Sequence, residues 1–224
     1  MTSFAVHQPN YLPWLGFFAK MSQVDVFVVL DDVQLPQGRS YVSRTRIRDR
    51  DDARWLTVPI RRSAKPPINE VLLADEPWAD KHLRSLQMTY GRSPAYAGVM
   101  PALEEAFRPP PTHLSTLNEH LLAAAARLLG IEVRIERSSE LRPQGTAGDR
   151  IIDIGHRLRA STYVSGAGGQ NYQEREAFEA AGIELVVREY APVPYEQAQG
   201  AFVPGLSVVD ALVNLGAGAR DLLI

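Results

Sequence analysis

Residues 1–30, MTSFAVHQPNYLPWLGFFAKMSQVDVFVVL, decide the fold. Ser3–His7 is short, apolar and β-prone, and Gln8-Pro9-Asn10 ends it. Residues 11–22 follow with apolar positions at Leu12, Leu15, Phe18, Ala19 and Met21, a helical spacing. Pro13 falls in the first turn of that helix, where a missing N–H costs little. Residues 26–30 (VFVVL) are a continuous apolar run of strand length, as expected of a strand buried on both faces of a parallel sheet. Strand, loop, helix and strand make a βαβ unit, whose crossover is right-handed.

Working outward, the same alternation returns in the second half of the chain. Strands are expected at 131–137, 162–165 and 183–189, and helices at 148–159, 173–181 and from a Ser207 cap to about Leu215. Between the halves lie a basic stretch, a strand at 55–59 and three helices. The first of these is capped by Asp75, has Pro77 just inside and stops at Gly91. The others cover 95–107 and 113–129, with a stiff RPPPT break at 108–112. The predicted fold class is α/β: a mostly parallel, Rossmann-like sheet with a helical insertion in the middle of the chain. It forms one domain over residues 1–224, with a helical subdomain at about 75–129.

Composition narrows the function. Hydrophobic residues are 45% and charged residues 22% of the 224, which excludes global disorder. The absence of Cys excludes disulfides, thiolate catalysis and Cys-based metal sites. The N-terminus lacks a signal-peptide layout and no run is long enough to span a membrane, so a cytoplasmic protein is expected. The formal net charge is only -2, yet residues 37–65 carry nine basic and three acidic side chains, a local excess of six positive charges. Arg outnumbers Lys 21 to 3. Guanidinium is the better fork for phosphate or carboxylate.

Ligands of open parallel sheets bind beyond the carboxyl ends of the strands, at a switch point. Three loops are expected there. The first, residues 7–14, packs His7, Gln8, Asn10, Tyr11 and Trp14 between two prolines at a helix start. His7 reads equally as an acid/base group and as a buried histidine bonded to backbone. The second follows VFVVL. Asp32, beside Asp31, is a candidate catalytic carboxylate, set against a reading in which both only cap and solvate a turn. In SYVSRTRI (40–47), Arg44 and Arg46 share one face if extended and could neutralise phosphate or carboxylate. The third, residues 165–172, holds Ser165, Gly166, Gly168, Gly169 and Tyr172; its glycines admit a ligand to backbone N–H groups, or make a plain turn. It has neither Walker A nor dinucleotide spacing. Trp78 and His82 share a helix face, and His82 joins the substrate-binding candidates. No metal-ligand spacing occurs.

Several motifs now stand in order: AVHQPNYLPWLGFFAKM, DVFVVLDDVQ with SRTRI, WLTVPI, Trp78 with KHL, Tyr90, LGIEV, SSEL, YVSGAGGQNYQ, Tyr195 with Gln197, and LSVVDALVNLG. Along nearly its whole length the chain resembles the WbqC-like protein family, departing from its pattern at Pro36 and Ser43. The resemblance implies an enzyme of surface-polysaccharide (O-antigen-type) or secondary-metabolite biosynthesis. The reaction expected is aminoacyl or acyl (glycine-type) transfer to a nucleotide sugar or related small metabolite. The partner expected is a small anionic substrate bearing a nucleotide, phosphate or carboxylate, and no membrane. The cofactor is open, with ATP and Mg²⁺ as the candidate. An ATP-using nucleotidyltransferase-like enzyme is the alternative, because the first loop resembles an HxGH opening with Asn10 in place of the last His. Nucleic acid is set last, entering chiefly as tRNA carrying the donor amino acid.

Overall fold

A computed structural model describes residues 1–38, 40–61, 65–166, 172–198 and 200–224, without the side chains of residues 172–174. Gly168 and Gly169 and the side chain of Tyr172 therefore lie outside the described residues. The elements in chain order are β1 (Ser3–His7), α1 (Leu15–Met21), β2 (Val26–Val29), β3 (Arg44–Asp49), β4 (Asp52–Thr57), α2 (Trp78–Tyr90), α3 (Tyr96–Glu104), α4 (Leu114–Leu128), β5 (Arg134–Arg137), α5 (Ser138–Leu141), α6 (Ala147–Leu158), β6 (Thr162–Ser165), α7 (Tyr172–Ala180), β7 (Glu184–Val187) and α8 (Val208–Leu215).

Among the described residues, five strands form one parallel sheet in the order β5-β2-β1-β6-β7. The chain adds strands to one side of β1, then crosses over and adds them to the other. This is the Rossmann-like α/β arrangement, with its switch point between β1 and β6. Period-two alternation sends Phe4, Val6, Val26 and Val28 to one face, where Ile154 of α6 and Phe178 of α7 cover them. Ala5, Phe27 and Val29 go to the other face, against Phe17 and Phe18 of α1. That second core runs on without a break through α2, α3 and α4 to α8, so the helical insertion shares the core of the sheet.

Local differences from the expected elements have physical causes. α1 begins at Leu15, later than its apolar spacing suggests, because residues 8–14 are not helical: the chain bends at Tyr11 and Leu12, with Leu12 in the left-handed region at φ 42, and Trp14 is bridged to Ser207. Asp75 caps nothing: it pairs with Arg61 at 2.5 Å, and Pro77 holds the cap position of α2. The basic stretch contains the antiparallel pair β3–β4, joined by Arg50 and Asp51 with Arg50 at φ 52. Ser207 caps α8, its hydroxyl accepting from the Val209 N–H.

Candidate active site at the switch point

The two central strands part company early. β1 pairs with β2 from Phe4 to His7, but with β6 only at Ser3 and Phe4. The His7 carbonyl accepts from Leu30 N–H at 2.8 Å, on the β2 side. Neighbouring peptides along a parallel strand face opposite sides, so the Val6 carbonyl points toward β6. β6 does not meet it there. Its acceptor is used instead by Lys20 of α1, whose Nζ donates at 3.0 Å. A lysine thus sits at the opening between β1 and β6, where ligands of this fold bind.

His7 stands at the carboxyl end of β1 beside it. Its Nδ1 lies 2.9 Å from the Gln8 carbonyl oxygen, an acceptor, so Nδ1 carries the proton and Nε2 keeps its lone pair. The ring packs against Phe17 at 4.7 Å between centroids. Burial, then the Lys20 charge, bring the His7 pKa down to about 3, against the pull of the Gln8 carbonyl. Burial lowers the Lys20 pKa to about 8. The pair therefore presents an uncharged imidazole beside an amine that can gain or lose a proton near neutrality. Read by spacing alone, Lys20 is one more helix residue. The signal lies elsewhere: Lys is scarce in this chain, guanidinium cannot deprotonate, and this Lys lies inside the apolar run LGFFAKM.

The three expected loops are not all at one place. Ser165 and Gly166 leave β6, on one side of the opening, and both are partly exposed. Asp31 and Asp32 leave β2, on the far side of β1, and turn toward β5. Asp31 is 3% exposed and accepts from Ser139 N–H at 2.9 Å, Ser139 Oγ at 2.6 Å and Ser138 Oγ at 3.1 Å. Asp32 takes Ser138 Oγ and an ion pair with Arg150 at 2.6 Å. These carboxylates lock the start of α5 and α6 onto the sheet, so Asp32 is occupied by structural partners.

The first loop is anchored on every side. Tyr11 is fully buried, and its hydroxyl lies 2.8 Å from His82 Nδ1. His82 Nε2 donates to the Thr57 carbonyl at 3.1 Å, so Nδ1 accepts and Tyr11 donates. Burial brings the pKa of His82 down to about 4, keeping it neutral. Tyr11 and His82 thus spend their polar atoms on one another and on backbone. Asn10 is 9% exposed, and Gln8 is half-buried next to His7. Asn118 holds the loop from beneath, donating to the Pro9 and Val42 carbonyls at 2.8 Å each. Trp14 lies over Gly16, where a Cβ would collide with the indole, and meets Tyr190 edge to face at 5.4 Å. Arg44 and Arg46 lie on β3, on one face as their spacing predicts, apart from the His7–Lys20 opening in the secondary structure.

A second buried polar cluster joins Tyr195 and Gln197, noted in the sequence only as parts of the family pattern, to Asp210 and Arg48. Asp210 of α8 accepts from Tyr195 at 2.7 Å, and Gln197 accepts from Arg48 at 2.5 Å. It pins residues 190–198 and 200–206, which have no regular structure, against α8 and β3. Two hollows of about 520 Å³ each flank Trp78 and the prolines at 109–111 on the insertion. Their rims are closed by the Arg61–Asp75 and Arg108–Asp80 pairs. Neither is lined by a pair of groups with the chemistry of His7 and Lys20, which ranks the parting of β1 from β6 above them. Among the described residues no cluster of His, Asp or Glu could hold a metal ion, and no helix is long and apolar enough to cross a membrane.

A model of the WbqC-like protein family matches residues 8–222. The uncharacterized protein Rv1507c of Mycobacterium tuberculosis is 31% identical over 227 residues, spanning 100% of this chain and 98% of that protein. No solved structure matches.

Proposed function

The chain belongs to the WbqC-like protein family, and on that premise we propose that it is an aminoacyl or acyl transferase, of glycine type, acting on a nucleotide sugar or related small metabolite. The setting we propose is surface-polysaccharide or secondary-metabolite biosynthesis, in the cytoplasm, where activated donors are made. The observation that carries the reading is the parting of β1 from β6 with His7 and Lys20 in the gap.

Acyl transfer needs a group to take the proton from an attacking amine or hydroxyl, and a charge to hold the substrate's anionic part. His7 Nε2 supplies the first and the Lys20 ammonium the second. Beside the bare ammonium His7 is a weak base. Burial is the larger cause of the low His7 pKa and the Lys20 charge the smaller; a phosphate or carboxylate next to Lys20 cancels the smaller one, so the imidazole gains some basicity as the substrate arrives. The acceptor's N–C or O–C bond then forms as the donor's leaving group departs, and His7 returns its proton to that leaving group. With no Cys, the acyl group cannot rest on a thiolate of the protein. The donor arrives already activated or is activated with ATP and Mg²⁺.

The test supplies glycine with ATP·Mg²⁺, or a preformed glycyl donor, together with nucleotide sugars, and reads the added glycyl mass by mass spectrometry. Product is expected, with His7→Ala lowering its rate about 100-fold or more while circular dichroism stays unchanged. Full activity in His7→Ala, or no mass shift with any activated donor, overturns the assignment.

A further inference from the structure

A second surface of distinctive chemistry lies outside the crevice, on the β3–β4 pair. Arg46 stands directly opposite Trp55, and Arg44 opposite Thr57, so the four side chains share one face of the ribbon. The opposite face, with Thr45, Ile47 and Leu56, is buried in the core. Trp55 is 39% exposed and Tyr41 42%, and their rings meet edge to face at 5.4 Å. The Arg44 guanidinium lies 3.9 Å from the Trp55 ring centroid, and its buried Nε has no hydrogen-bond partner. Among the described residues, neither Arg44 nor Arg46 has a carboxylate within 4.0 Å. The face belongs to the stretch that carries six excess positive charges. Gly205 borders it with φ +70; a Cβ there would stand 3.6 Å from Arg46 Nη1.

Exposed aromatic rings beside cations without counter-charges fit one class of ligand. A bare anion has no use for the rings, and an apolar peptide has no use for two guanidiniums. A planar base joined to phosphate uses both: a base stacks on any exposed aromatic face, and Arg holds phosphate bidentately. We propose that this face is a nucleotide-binding platform, with the base packed on Trp55 and Tyr41 and the phosphate held by Arg44 and Arg46. The nucleotide unit comes from a free nucleotide or from the single-stranded end of an RNA.

Calorimetric titration of the full chain with UMP, and with a short single-stranded RNA ending in CCA, tests this at about 50 and 200 mM salt. Trp55→Ala is expected to weaken binding about tenfold, and Trp55→Phe to restore most of it. Arg44→Gln with Arg46→Gln is expected to weaken binding and flatten its salt dependence. UMP binding with a shallow salt dependence assigns a free nucleotide. RNA binding alone, falling steeply with salt, assigns a polynucleotide. Binding that is unchanged in Trp55→Ala overturns the proposal, as does failure of both probes to bind the wild type. If Trp55→Ala does not fold, unchanged binding in the double arginine variant overturns it equally. His7→Ala is expected to keep this binding, so its failure and that of the transferase reading remain distinguishable.

Discussion

Lys20→Met separates a lysine kept for its chemistry from one kept for stability. Below pH 8 the ammonium is charged in both folded and unfolded chains, and burial makes the folded chain bear a cost. A pKa brought from 10.5 to about 8 corresponds to about 3.4 kcal/mol. Methionine fills the same apolar path along α1 without that cost but leaves the Val6 carbonyl without its partner, which takes back about 1–3 kcal/mol, so Lys20→Met is expected to be about 1 kcal/mol more stable at pH 7, a melting-temperature rise of roughly 2–4 °C. The pH dependence is the sharper reading. Between pH 8 and 10.5 the unfolded chain holds its Lys20 proton while the folded chain gives it up. Wild-type stability therefore rises with pH in that window, by about 2.5 kcal/mol at pH 10, and Lys20→Met lacks this rise. Urea denaturation of both proteins at pH 7 and pH 10 measures the difference, from which other titrating groups cancel. The variant is also expected to lose transfer activity. A stability difference that stays flat from pH 7 to pH 10 refutes the reasoning.

Two further outcomes follow from buried polar groups. Asp31→Ala strands the Ser139 hydroxyl and the Ser139 N–H, while Ser138 Oγ keeps Asp32, so it is expected to cost about 2–4 kcal/mol, read as a lower urea midpoint. In acid, His7 and His82 resist protonation while folded, with pKa values of about 3 and 4, but accept protons near pH 6.5 when unfolded. Stability is therefore expected to fall as pH drops below 6.5, by at most about 2.7 kcal/mol per ring at pH 4.5, and by less for the only partly buried His7. Urea midpoints at pH 7 and 4.5 check this, and His7→Ala should show the smaller loss.

Much of the sheet could be read from local pattern alone. VFVVL is apolar at every position because both of its faces are covered, and residues 162–165 and Ser207 behave likewise as written. What local pattern could not show is who meets whom. Asp31 and Asp32 have the look of a catalytic pair, yet their partners lie more than 100 residues away in sequence. His82 has the look of a free ligand group, yet Tyr11, 71 residues away, is bonded to it. The β3 strand is half-hidden because RTRIR alternates arginine with its core residues, and charge masks the period. Residues 190–206 carry no period at all; Tyr190 and Tyr195 act there by packing and hydrogen bonding on distant elements. Lys20 needs the strand register, since only the gap beyond Phe4 gives its position meaning.

Ser207 has a consequence for how the protein is made. Its hydroxyl also donates to the Leu12 carbonyl, 195 residues earlier in the chain, while its N–H bonds Arg46 and the Val208 N–H bonds Pro13. The loop that follows His7 is thus clasped by the start of a helix made long after it. During synthesis the N-terminal βαβ unit can form early, but its loop has no clasp until Ser207 has emerged. A chain that stops short of Ser207 would carry the loop that follows His7 without this clasp.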